Sequence, residues 1–175
     1  MSGQSVRGNS ERIRKTALLG LLLAVALVLG WVEHMLPPLT AVPGIKLGLA
    51  NIPVLYALYA CGRGEAAVLG AAKVVLSCAL FGGFSAFLYS AAGMAASLAA
   101  MLMIYRLKSV SPVGTSAAGG FAHVAAQTVV AMALTATPSL WRVLPVLTAA
   151  GTLSGVVTGI VAALLLRRAD SLKKY

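Results

Sequence analysis

Charged residues fall in short breaks between long apolar stretches, and the breaks divide the chain into six segments. The first uncharged run covers residues 16–32. It is long for a signal-peptide core and lacks a small-x-small cleavage pattern before Trp31 and Glu33, so it predicts a retained helix. Pro37, Pro38, Pro43 and Gly44 then form a loop through which no helix continues. A second helix is predicted over about 46–61, short for a hydrocarbon layer about 30 Å thick. Gly62-Arg63-Gly64 turns the chain into a third helix over about 65–82. The fourth covers about 84–105 and is closed by Arg106 and Lys108. Pro112 and Gly114 precede a fifth over about 115–136, which Pro138 ends, and the sixth runs over about 141–166.

Composition turns this pattern into a fold class. Hydrophobic residues make up 59% of the 175 residues and charged ones 10%, against about 45–50% and about 25% in soluble chains. The chain is read as an all-α integral membrane protein, a six-helix transmembrane bundle over 16–166 between basic tails at 1–15 and 167–175. Only 6% of residues are aromatic and 18 are Gly, which suits close-packed helices better than a β-barrel with aromatic girdles. No length remains for a soluble catalytic domain.

A formal charge of +10 would point to nucleic acid in a soluble protein, but here the basic residues sit at the ends of apolar segments. Eleven Lys and Arg fall on the side of the termini, Arg63, Arg106 and Lys108, and only Arg142 falls on the other. That asymmetry predicts a multi-pass protein of the cell (inner) membrane with both termini cytoplasmic, its partner the lipid bilayer and not nucleic acid. Cys61 and Cys78 lie in different segments and read as small hydrophobes. No spacing suggests a metal site, a cofactor or a catalytic group.

A charge in hydrocarbon costs about 2.5–3.5 kcal/mol and so calls for a reason. Lys73 lies eight residues after Glu65, about 12 Å into the helix at 1.5 Å per residue. It shares a stripe with Ala66, Gly70 and Ser77, and is read either as a substrate-binding cation or as a snorkelling structural one. Glu33 and Lys46 flank the Pro-rich loop and either anchor at the interface or turn inward. Turned inward with Lys73, they give two cations and one anion, a balance that favours a substrate with a negative group. His123 and Gln127, spaced i, i+4, share a face with Ser116 and Gly119 or Gly120. That stripe, like Asn51 in the second helix, faces a ligand or serves as interhelical hydrogen-bond glue.

Small residues form stripes too. Gly151, Gly155 and Gly159 repeat every four, and Ser90, Gly93 and Ser97 follow 3,4 spacing. Both are read as packing faces that let backbones approach. Gly20 and Ala24 form the same motif in the first helix.

The run Pro43-Gly44-Ile45-Lys46-Leu47-Gly48-Leu49-Ala50-Asn51-Ile52 resembles the signature of the Gx transporter family, also called heptaprenyl diphosphate synthase component I. Glu33, Leu80-Phe81-Gly82, Ser90-Ala91-Ala92-Gly93, Met101 and the block from Gly119 through His123 to Gln127 extend the resemblance over roughly 16–165. Two positions depart from the family pattern. Lys73 stands where Arg is usual, which keeps the charge without the bidentate fork, and Val124 follows His123 where Asn is usual.

The family is similar to the substrate-binding S-components of energy-coupling-factor (ECF) transporters. The resemblance implies a six-helix subunit that takes a small solute, anionic or isoprenoid-related, and docks on ECF-type transmembrane and ATPase subunits. It also implies docking through small residues of the first helix, here Gly20 and Ala24. The synthase label implies a second reading, a non-catalytic membrane accessory of polyprenyl or quinone metabolism or of membrane redox machinery. Asp170 is the sole Asp in the chain, so the aspartate-rich motif of magnesium–diphosphate chemistry is missing. No GxxxxGK[ST] loop is present to bind ATP.

Overall fold

The computed structural model describes residues 2–35, 48–81, 83–107 and 109–172. These form six α-helices: α1 (Ser2–Met35), α2 (Ile52–Ala60), α3 (Arg63–Phe81), α4 (Phe84–Tyr105), α5 (Pro112–Thr135) and α6 (Leu144–Leu172). Short 3-10 turns, Leu49–Asn51 and Pro138–Arg142, lead into α2 and α6. The protein is an all-α, multi-pass membrane protein. All the helices except α2 contain a stretch long and apolar enough to cross a bilayer. Their outward residues, Leu21, Val25 and Val28 of α1 or Leu153, Ile160 and Leu164 of α6, are exposed apolar side chains, as a lipid solvent requires.

Several boundaries differ from the sequence reading for local reasons. The polar residues 2–15 continue α1 rather than standing apart from it. No proline interrupts them, and Glu11 precedes Lys15 at the favourable i, i+4 spacing. In the same way α6 runs past Arg167 and Arg168 to Leu172. α5 begins three residues early because Ser111 caps it, its hydroxyl accepting the Gly114 N–H at 3.3 Å, and Pro112 suits the first turn.

α2 is shorter than expected. Gly48 enters its leading turn in a left-handed conformation (φ 66°) and Gly62 leaves it with φ 131°. The 12 residues of Leu49–Ala60 reach about 18 Å at 1.5 Å per residue, well short of a full span. The helix is apolar all round and is buried accordingly. Val54, Leu55, Ala57 and Leu58 pack with Ala66, Leu69, Met101 and Ala162 into one hydrophobic core. Tyr59 closes that end, donating to or accepting from Thr115 Oγ1 at 2.8 Å and meeting Tyr105 edge to face.

α4, α5 and α6 pair antiparallel, Gly93 of α4 facing His123 of α5 and Gly120 of α5 facing Gly151 of α6. α1 and α3 run in the same direction: Lys15 and Glu65 lie 3.6 Å apart and bring the basic part of α1 beside the start of α3 at Arg63. The core therefore fills the half of the bundle next to the basic connections. The α5–α6 seam is the closest: a Cβ on Gly120 would lie 2.2 Å from the Gly151 carbonyl oxygen, and one on Gly155 2.4 Å from that of Ser116. With no hydrophobic drive between helices in lipid, such backbone contact is what holds them. Ser116 and Thr158 add a buried hydroxyl pair at 3.1 Å.

Candidate functional site

Among the described residues the other half of the bundle encloses a cavity. A cavity of about 270 Å³ opens where α1, α3 and α5 end and α4 and α6 begin. Each helix lines it with a stripe at 3–4 spacing. Ala26, Gly30 and Glu33 come from α1, and Lys73, Ser77 and Phe81, with Val74 and Cys78 beside them, from α3. From α4 come Ala86, Ser90 and Met94, from α5 Gly120, His123, Val124 and Gln127, and from α6 Gly151 and Ser154. Gly48 and Asn51 cover it from the entry to α2.

A chain of polar contacts crosses one wall. Glu33 turns inward, and its Oε1 accepts the backbone N–H of Gly48. Gly48 in turn accepts the Asn51 N–H at 2.8 Å, closing the turn that presents the Asn51 side chain. Asn51 Oδ1 accepts from Lys73 Nζ at 2.6 Å. Gly48 suits this place twice over: its φ is positive, and a Cβ there would stand 3.1 Å from Ser154 Oγ. The ammonium is thus presented by an amide that is itself fixed by the backbone, about midway along α3. On the facing wall, His123 and Gln127 lie against Gly93 of α4. His123 Nδ1 is buried without a hydrogen-bond partner among the described residues.

Five of the residues singled out in the sequence, Glu33, Asn51, Lys73, His123 and Gln127, therefore line one cavity. Lys46 and the Pro37–Pro43 loop lie outside the described residues. Gly20 and Ala24 are exposed on α1, away from the cavity, and a Cβ on Gly20 would meet nothing within 4 Å. Cys78, read as a small hydrophobe, is a lining residue, and no disulfide joins it to Cys61. Ser154 was missed. Its signal was present in the i+3 step from Gly151, which puts it on the edge of the glycine stripe.

The arrangement can hold a compact solute. One ammonium, one carboxylate, two amides, an imidazole and three serine hydroxyls converge on a largely apolar chamber. Its volume is just under the roughly 300–1,000 Å³ of small-molecule pockets. Among the described residues no group of three or more His, Cys, Asp or Glu could ligate a metal ion.

Residues 22–165 match the family described as heptaprenyl diphosphate synthase component I. The chain belongs to this family. The matched stretch of this chain contains every cavity-lining residue. No curated protein sequence matches it. Its structure is similar to that of the S component of a bacterial ECF transporter, with a TM-score of 0.66 over 94% of this chain and 99% of that one. The two sequences are 20% identical, so the likeness speaks for the fold.

Proposed function

We propose that this protein is the membrane-embedded, substrate-binding subunit of a small-molecule uptake transporter, S-component-like in its action as in its fold. The observation that carries the reading is the cavity, in which polar side chains from six elements meet inside a membrane bundle. Charges and amides are expensive in hydrocarbon, and their convergence on one chamber gives them a ligand to serve. Lys73, presented by Asn51, takes a negative group of the solute; His123 and Gln127 hydrogen-bond it from the facing wall. Glu33 holds the entry to α2 and offers its second oxygen to the same chamber. The cavity lies at the end away from the basic connections, so with both termini cytoplasmic it faces outward and receives solute from outside.

The subunit has no catalytic role, and the energy for uptake comes from ATPase and transmembrane partners of the ECF type. Those partners dock on α1, where the exposed Gly20 and Ala24 allow close backbone approach. The accessory reading, a bundle that holds a polyprenyl tail, fits the cavity poorly. A chain of about 35 carbons, at roughly the 30 Å³ that a water takes in its liquid, needs on the order of 1,000 Å³. Native mass spectrometry of the protein extracted from its own membranes tests the choice. A compact bound solute is expected, with Lys73→Ala losing most of it while expression and melting temperature hold. Equal solute content in the two proteins, or a stoichiometric long prenyl lipid in place of a solute, would refute the reading.

A further inference from the structure

Gly93 sits in a small-residue stripe of α4, yet it does not pack on a helix backbone. A Cβ built there would lie 2.8 Å from Gln127 Cγ, 2.9 Å from His123 Nε2 and 3.0 Å from His123 Cδ2. The other glycines of this layer behave differently. On Gly70 the same atom would meet the flexible ends of Met94 and Leu98 at 3.0 and 3.2 Å, and on Gly119 it would meet Met101 and Ser97 in the closed half. Gly93 alone of these three faces the two polar side chains that α5 turns toward the cavity.

α5 cannot retreat to make room. On its far side it touches the α6 backbone: a Cβ on Gly120 would lie 2.2 Å from the Gly151 carbonyl oxygen, and one on Gly155 of α6 2.4 Å from that of Ser116. A methyl group at residue 93 must therefore be relieved by the His123 ring and the Gln127 chain, and the space that both already line is the cavity. We propose that Gly93 is the size-determining residue of the binding chamber: its missing side chain is the recess into which His123 and Gln127 fold, and this recess sets how bulky a solute can enter. The inference rests on reading the cavity as the solute site, and it assigns Gly93 a positioning role exerted through His123 and Gln127.

Cys78, on the opposite wall, supplies a probe that needs no knowledge of the natural solute. The detergent-solubilised protein and its Gly93→Ala variant are treated with methyl methanethiosulfonate or with its bulkier benzyl counterpart, both neutral. Modification at Cys78 is followed by peptide mass spectrometry, so Cys61 needs no substitution. Both reagents are expected to reach Cys78 in the parent protein. In Gly93→Ala the benzyl reagent should react roughly tenfold more slowly, within the overpacking range, while the methyl reagent stays within about twofold. Loosening of the fold would instead speed both. Unchanged benzyl access, or equal slowing of both reagents, overturns the role of Gly93 and leaves the solute-site reading standing. Failure of either reagent to reach Cys78 in the parent removes the open chamber, and both readings fall.

Should Gly93→Ala be too unstable to purify, Gly93→Ala/His123→Ala/Gln127→Ala carries the test, because it removes all three atoms that the new methyl would strike. Recovery of stability together with benzyl access supports the inference. A triple variant as unstable as the single one overturns it.

Discussion

Gly120→Ala adds one methyl group at the tightest point of the bundle. Its Cβ would stand 2.2 Å from the Gly151 carbonyl oxygen, 3.1 Å from the Gly151 carbonyl carbon and 3.2 Å from the Gly155 Cα. Ordinary carbon–oxygen contact lies more than 1 Å farther out, and every atom met is backbone, so no rotamer change relieves the clash. α5 and α6 must part by about 1 Å, which forfeits a quarter to a half of the dispersion well along the seam. Overpacking costs about 1–3 kcal/mol, and a backbone-limited case belongs near the top of that range. At about 2–4 °C per kcal/mol for a chain of this size, the melting temperature should drop by about 6–12 °C.

Gly120 and Gly151 also line the cavity, so the parting widens it and bound solute should be lost as well. Thermal unfolding in detergent, followed by tryptophan fluorescence, reads the first effect. Gly20→Ala is the control, since a Cβ there meets nothing within 4 Å and the helix should gain up to about 1 kcal/mol rather than lose stability. A Gly120→Ala protein that melts within about 2 °C of the parent would show that the seam is not what holds α5 to α6.

Replacing Gly20 or Ala24 by Leu should leave the isolated protein folded and able to bind solute while abolishing copurification with the ECF-type partners proposed for it; loss of fold in isolation would place these residues in internal packing instead. A cytoplasm-active reporter fused after Tyr175 should be active in intact cells, and a strong signal from an externally active reporter at that position would reverse the topology. Lys73→Arg keeps the cation and should retain far more solute than Lys73→Ala, measured by mass spectrometry at matched protein; equal losses would mean that the ammonium shape, not its charge, is what the site uses.

Much of this protein was legible from its residues in order, because a bilayer enforces simple rules. Long uncharged runs in a Gly-rich, aromatic-poor chain read as helices, since lipid offers no partner for backbone N–H and C=O groups. Gly151, Gly155 and Gly159 announced a close seam by their spacing alone, and Lys73 announced an interior face by its cost in hydrocarbon. Periodicity also put His123 and Gln127 on one stripe. What spacing along a helix does not contain is which stripes meet. That Lys73 binds Asn51, that Glu33 caps the entry to α2 through Gly48, and that Ser154 and Cys78 share their chamber are contacts between residues far apart in sequence. α2 shows the same division. Its apolar sequence promised burial and its length already fell short of a span, but only the packed bundle decided which half of the bundle it fills. Gly93 is the sharpest case: by sequence it matches the packing glycines, and only the tertiary structure sets it against the polar side chains His123 and Gln127 of α5.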